Sequence, residues 1–528
     1  MPDRLRLTDD NRRWWTLGAM CFALFMIMLD NTVVNVALPT IQHDLHSSVS
    51  GLEWTVNAYT LSFAVLLVTG GRLGDIFGRR RMFLSGVVVF AGSSAMIAFA
   101  QSTGWLVGWR AVQGLGASFM MPATLSIISN AFPPHERGKA IGTWAGVSAM
   151  ALAIGPVLGG FLVEHVSWQS IFLLNLPVAA AAVVVTLFAA HESRDESAPR
   201  TIDYAGLLAL STGLTALILA LIEGNSWGWG SGRTVGLLAA SVVLLTVFTR
   251  VEARVAAPMV DFSFFRSRGF LGANIVAFLV SFSMLATFFF LALYLQNVRG
   301  YSPLQAGVRF LPMTVIIIFA GPIAGRLADK VGPRPLISAG LFLTGVSLFW
   351  QGHLAVDTAY GQLLGAFMVM GAGIGLVMSP MSTAAMNAVD PTKAGVASGT
   401  LSMSRMVGGT FGVAAMGALI SALGRSRLDH LLPQLPQSAR SRIVDGLGAG
   451  GSTSVPGAVG DAARDAFLYA LNDGLRISGA VAVLGSGLAW LLIDKRVPAH
   501  AHAASLAAEE SAAAAGTPLA DVPVAVEA

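Results

Sequence analysis

Three sets of residues in this 528-residue chain could do chemistry, and each places charge in apolar surroundings. Asp30 closes a long apolar run and is followed by Asn31 and Asn35. An acid inside hydrocarbon is costly, so it normally faces a cavity or an opposite charge, and it can bind and release a proton there. Asp30 stands nine residues before Pro39, about 13 Å below an outer boundary at the helical rise. Arg110 is the candidate partner, about 9 Å deep in a fourth apolar segment by the same ruler. Gln113, Gly114 and Ala117 share its face. The alternative for both is structural: a packing acid bonded to a neighbouring helix, and an arginine that ties helices together.

The third set is a charged knot, Gly71-Arg72-Leu73-Gly74-Asp75-Ile76-Phe77-Gly78-Arg79-Arg80-Arg81, between two apolar runs. A second copy starts 254 positions later (325 minus 71): Gly325-Arg326-Leu327-Ala328-Asp329-Lys330-Val331-Gly332-Pro333-Arg334. Gly71, Gly74 and Gly78 allow two helix ends to approach and turn sharply. Asp75 among arginines can pair or cap a helix end. One charged turn would be a solvated topology signal. Two in register mark a membrane protein of two similar halves, the architecture of a transporter.

The elements that position these residues follow from hydropathy. A bilayer core takes about 20 mostly apolar residues per helix. That ruler gives fourteen segments, near 14–38, 53–71, 82–100, 105–129, 140–163, 170–190, 204–223, 234–251, 270–296, 305–326, 335–353, 361–381, 398–423 and 475–493. Six helices with loops span roughly 180–200 residues, so the 254-residue offset leaves room for two extra helices. The expected fold is an all-α membrane protein of two six-helix bundles plus two inserted helices. Its parts are a cytoplasmic N-terminus 1–13, a first bundle 14–190, a linker 191–269 with two helices, a second bundle 270–498 with an outer loop 424–474, and a disordered tail 499–528.

Composition excludes other classes. The chain is 54% hydrophobic and only 12% charged, with mean hydropathy +0.68, and a soluble protein carries about 25% charged residues. The net charge of +4 sits in turns and reads as positive-inside topology, not as a nucleic-acid surface. Short loops with Arg12 and Arg13, Arg72 and Arg79 to Arg81, Arg137 and Lys139, Arg326, Lys330 and Arg334 fall on one side; Arg233, Arg299 and Arg309 fall on the other. Both termini are therefore expected in the cytoplasm. A single cysteine, Cys21, leaves no disulfide or cysteine metal cluster. No phosphate loop is present, and no metal-ligand spacing or Ser/His/Asp set supports an enzyme. No cofactor or metal is expected.

Five blocks in order resemble the major facilitator superfamily, specifically its fourteen-helix drug/proton antiporters. They are Leu29–Pro39, the Gly71–Arg81 knot, Arg110-Ala-Val-Gln113-Gly114-Leu-Gly116, Gly155-Pro156-Val-Leu-Gly159-Gly160 and Trp168-Gln169-Ser-Ile-Phe-Leu-Leu-Asn175-Leu-Pro177. The resemblance covers nearly the whole chain outside the tail and outer loop. It implies a proton role for Asp30 and Arg110, and a conformational latch at Gly71, Arg72, Gly74, Asp75, Gly78, Arg79, Arg80 and Asp329. It also implies an exporter's helix-bending motif at Gly155, Pro156, Gly159 and Gly160. Ala151 stands where that motif often has glycine, and Gln169 where the family often has arginine. The expected function is proton-coupled export of hydrophobic or cationic small molecules, drugs or a secondary metabolite, across the cytoplasmic membrane by a monomer; the alternative is symport uptake of a polar solute.

Candidate substrate-cavity residues are Asn31, Asn35, Tyr59, Gln113, Phe288 and Tyr294. The aromatics Phe288, Phe289, Phe290 and Tyr294 suit either an apolar pocket or lipid-facing packing. Arg405 lies about 12 Å from the inner side, within snorkelling reach.

The loop charges generate a topology prediction. With Cys21 replaced, single cysteines at Ser231 and Ser452 should react with an impermeant thiol reagent on intact cells, and one at Ser193 should not. Labelling at position 193 would remove the helix count or the orientation.

Overall fold

A computed structural model describes residues 9–47, 49–194, 203–255, 258, 260, 262–436, 440, 443 and 457–494. The described residues contain no strand and fourteen long helices. They are α1 (Asp9–Leu45), α2 (Val49–Phe77), α3 (Arg79–Ala98), α4 (Thr103–Ala131), α5 (Pro134–His165) and α6, whose two stretches Ser170–Leu173 and Asn175–Ala189 meet at Leu174. Next come α7 (Tyr204–Trp227), α8 (Gly232–Glu252), α9 (Arg268–Leu293), α10 (Pro303–Val331), α11 (Pro333–Gln351), α12 (Tyr360–Asn387), α13 (Ala394–Leu431) and α14 (Ala458–Leu492). Every expected segment has its helix. Twelve are long and apolar enough to cross a membrane; α5 and α11 are the two outside that set.

Local chemistry sets the ends. Ser102, Asp203, Ser231, Ser267 and Ser302 each accept from a first-turn backbone N–H of the helix they precede, which satisfies donors that otherwise have no partner in the bilayer interface. Proline opens α5, α10 and α11, where its missing N–H costs nothing. Gly78 and Gly332 take φ of +109° and +87°, so each knot ends its helix with a residue that has no Cβ to clash.

The segment expected as an outer loop, 424–474, is helical at both ends: α13 runs on to Leu431 and α14 begins at Ala458. These extensions carry charge on exposed faces, with Arg427 donating to Asp465 at 2.8 Å, so hydropathy alone reads them as loop. The tail 499–528 and residues 1–8 lie outside the described residues.

The first six helices pack together, as do the last six, while α7 and α8 pair and α7 rests against α2 and α13. The halves join mainly through two helix pairs, α5 with α10 and α2 with α13, with lighter contact of α4 on α13 and of α5 on α12. Both crossings use glycine at the knot end. A Cβ on Gly71 would stand 2.2 Å from the Gly395 carbonyl oxygen, and one on Gly325 2.0 Å from that of Gly138. Gly142 and Gly399 likewise press on Gly321 and Leu67. Backbones in such contact gain dispersion along their whole length, which drives association where lipid supplies no hydrophobic effect.

Gly395→Ala would set a Cβ 2.4 Å from Asp75 Oδ1 and 2.5 Å from the Gly71 carbonyl oxygen. Overpacking of this kind costs about 1–3 kcal/mol, charged here to one conformation only. A cysteine replacing the fully buried Ser398, with Cys21 removed, should therefore react with a thiol reagent at least several-fold faster in the Gly395→Ala background. An unchanged rate would show that this contact does not hold the halves together.

Candidate functional site

Asp30, on α1, is 4% exposed and lies inside the first bundle. Arg110 of α4 donates from Nη1 to Asp30 Oδ2 at 2.5 Å, and both side chains are 1% exposed. The same Nη1 donates to Gln113 Oε1 at 2.7 Å, and Arg110 Nε donates to the Thr55 carbonyl of α2 at 3.0 Å. Gln113 Nε2 donates to Asp30 Oδ1 at 2.9 Å and to Ser94 Oγ of α3 at 2.9 Å. Asn175 of α6 donates to Asp30 Oδ1 at 3.3 Å and to Ser94 Oγ at 3.1 Å. The guanidinium also lies over the Tyr59 ring at 4.3 Å. Five helices thus converge on one carboxylate. A charge pair in low dielectric is worth keeping only when its remaining hydrogen-bonding positions are filled, and here every neighbour fills one.

Chemically the cluster is a buried carboxylate with its counter-ion attached. Deprotonated, Asp30 holds Arg110, Gln113 and Asn175 together. Protonated, it accepts fewer bonds and loses its attraction for the arginine, so the five helices are drawn together less tightly. The sequence paired Asp30 with Arg110 by depth and set Gln113 on the face of Arg110 by spacing. It missed Ser94, Asn175 and the Thr55 carbonyl. The available signal is a polar residue in each apolar segment; Asn175 even lies within one of the quoted motif blocks.

The knots form the second site. Asp75 pairs with Arg79 at 2.7 Å, both 1% exposed. The same carboxylate crosses to the other half, accepting from Gly395 N at 2.9 Å and Val396 N at 2.8 Å. These amides open α13, where aligned peptide dipoles favour an anion. Arg79 also donates to the Thr392 carbonyl at 2.5 Å. The second copy is similar in mirror order: Asp329 of α10 lies against the backbone of Gly138 and Lys139, in the second turn of α5. Behind the first knot, Glu192 accepts from Arg80 N at 3.0 Å and Arg81 N at 3.2 Å, a cap for α3 that sequence did not single out. Arg80 reaches the Leu187 carbonyl at 2.9 Å, Arg72 is buried, and Gly74 packs on Arg79.

The glycine motif of α5 faces α1. A Cβ on Gly155 would stand 1.9 Å from Thr32 Oγ1, and one on Gly159 3.1 Å from Val33. So the knot-end half of α5 packs on α10 and its other half on α1. Gly160 is half-buried; the side chains of Pro156 and Asn35 lie outside the described ones.

The expected cavity residues divide. Gln113 and Tyr59 are fully buried within the first bundle and serve the charge cluster; their position on the face of Arg110 accounts for both readings. Asn31 is half-buried and donates to the Ile27 carbonyl at 3.0 Å. Tyr294 donates to the Ala355 carbonyl at 2.8 Å near the end of α9, and Phe288 packs on Phe310 at 5.2 Å between ring centres. Phe289 is exposed. Arg405 does not snorkel: its Nε and Nη2 are shielded and meet no acceptor, because Trp144 lies against the guanidinium.

A family model described as Major Facilitator Superfamily matches residues 20–413. The chain is 35% identical over 490 residues to the tetracenomycin C resistance and export protein of Streptomyces glaucescens, across 90% of this chain and 91% of that protein. It is also 35% identical over 515 residues to the puromycin resistance protein of Streptomyces alboniger, across 96% and 95% of the two. Among solved structures, a proton:xylose symporter superposes with a TM-score of 0.62 at 13% identity, covering 93% of this chain and 98% of that one, a likeness of fold.

Removing either partner of the buried pair should be unequal in cost. Arg110→Ala leaves Asp30 charged without a cation, a loss of about 3–5 kcal/mol. Asp30→Asn leaves an acceptor, and Arg110 keeps the Thr55 carbonyl, Gln113 and two rings. Thermal unfolding in one detergent should rank Arg110→Ala below Asp30→Asn, and adding Asp30→Asn to Arg110→Ala should recover stability. Further loss in the double variant would mean that the two do not act as a pair.

Proposed function

The chain belongs to the Major Facilitator Superfamily, and from that premise we propose that it exports hydrophobic small molecules, drugs or a secondary metabolite, out of the cytoplasm in exchange for protons. The observation that carries this reading is the Asp30–Arg110 pair, sealed inside one bundle, in a fold whose halves meet through anions seated on helix N-termini. The resistance and export named for the two relatives supports the direction, as does the glycine motif that holds α5 to α1.

In the proposed cycle the knot end faces the cytoplasm, with both termini there, and the conformation described is closed on that side. Two six-helix bundles, 14–190 and 270–498, rock about a midplane cavity while α7 and α8 ride at their edge. Asp75 and Asp329 latch the closed face, Asp75 by binding the first turn of α13 and Asp329 by lying against the second turn of α5. A proton arriving from outside neutralises Asp30 and loosens its grip on Arg110, Gln113 and Asn175. The relaxed bundle repacks and the latches release. Substrate then enters from the cytoplasm as the proton leaves. A proton can drive this only because its affinity differs between the two packings, and the neighbours of Asp30 supply that difference.

Cells expressing the chain should retain less of a lipophilic dye than empty-vector cells, and a protonophore should erase the difference. Asp30→Asn should insert normally yet abolish efflux driven by an imposed pH gradient. Asp75→Asn should weaken transport at normal membrane levels, since a switching contact biases populations by about 1–3 kcal/mol. Higher energised accumulation in expressing cells would indicate uptake instead. Wild-type coupled efflux in Asp30→Asn would place the proton site elsewhere.

A further inference from the structure

Arg405 is the buried charge that neither site uses. It stands on α13 eleven residues after Ala394, about 16 Å from the latched end at 1.5 Å per residue. It therefore lies just beyond the contacts of Gly395 with Gly71 and Gly399 with Leu67 that close that end. Its guanidinium is 5.8 Å from the ring centre of Trp144, on α5 of the opposite half. Trp144 is itself buried and held by a bond from Nε1 to Thr124 Oγ1 at 3.2 Å. The Arg405 side chain is half-buried, yet Nε and Nη2 are shielded from solvent and have no hydrogen-bond partner.

Among the described residues Arg405 forms no salt bridge. The acids of the two sites are occupied: Asp30 by Arg110, Gln113 and Asn175, Asp75 by Arg79 and two amides of α13, Asp329 by two amides of α5. Unsatisfied guanidinium donors away from water are expensive. Such a group persists where a ligand completes it. Its planar fork matches a flat oxyanion, and the indole offers that ligand's ring a stacking face.

We infer that Arg405 and Trp144 form a substrate subsite between the two halves, which takes an aromatic molecule carrying an anionic oxygen, a carboxylate, sulfonate or phenolate. This rests on the export reading for its place in transport and narrows the hydrophobic class proposed there. A cation at this point would meet like charge. Because the two residues belong to opposite halves, a ligand spanning them touches both bundles at once.

The test uses the full chain in lipid nanodiscs, with empty nanodiscs subtracted and no proton gradient. Two probes share a ring system and differ in charge: 8-anilino-1-naphthalenesulfonate, an anion, and the neutral N-phenyl-1-naphthylamine. Wild type should bind the anion more tightly, and Arg405→Gln should lower that preference about tenfold, the loss of one charged hydrogen bond, while the neutral probe binds as before. Arg405→Lys, which keeps the charge but not the planar fork, should fall between wild type and Arg405→Gln. An anion-to-neutral ratio unchanged in Arg405→Gln, or as low in Arg405→Lys as in Arg405→Gln, would overturn the subsite. Failure of dye efflux with this ratio intact would overturn the export reading alone.

Discussion

A charge in hydrocarbon must be paired, and the rest of this structure depends on how that rule is met. Each buried carboxylate has its own solution. Asp30 takes an arginine and two amides from its own bundle. Asp75 takes an arginine from its own turn and two backbone amides from the other half. The first arrangement ties helices within a rigid body; the second ties two rigid bodies together. Desolvation makes both contacts all-or-none, since a half-satisfied charge at this depth is worse than none. Sharp alternatives of this kind let small chemical events, such as one protonation, move large bodies.

Glycine makes the second solution reachable. A carboxylate can sit on a helix N-terminus only if the chain carrying it comes within hydrogen-bond distance. Gly71 and Gly395 lie in mutual backbone contact beside Asp75, and Gly138 and Gly325 do so beside Asp329. The knots therefore combine an anion, a close approach and a left-handed glycine that turns the chain away, at Gly78 and Gly332. Removing any one would leave the others without purpose.

Much of this was legible in the sequence. Fourteen helices followed from hydropathy because a bilayer demands an apolar length from each. The pairing of Asp30 with Arg110 followed from matched depth, and the knots from their repetition. What was not legible shares one physical cause: it depends on which faces meet. Ser94 and Asn175 are unremarkable polar residues until α3 and α6 turn them towards Asp30. Glu192 becomes a cap only when the end of α6 returns to α3. Gln113 and Tyr59, placed in a cavity by residue type, are turned inward. The extensions of α13 and α14 were hidden because amphipathic helix beyond a membrane carries the composition of a loop.

The two latches are related but unequal. In register with Arg79 the second knot has Pro333 (79 plus 254), so Asp329 lacks the arginine that Asp75 holds at 2.7 Å. Lys139, at the amide end it caps, turns its ammonium to Trp14 at 4.3 Å. Asp329 therefore relies on backbone dipoles alone, while Asp75 has dipoles and a full counter-charge. A helix terminus contributes about 0.3–2 kcal/mol to an anion, and a shielded ion pair adds to that. The α5–α10 crossing is accordingly the weaker of the two electrostatic ties, although it has the longer glycine contact through Gly142 and Gly146. The two crossings thus differ in kind: the α2–α13 contact rests chiefly on charge, and the α5–α10 contact on backbone packing along its length, from Gly138 and Gly325 past Gly142 and Gly321 to Gly146.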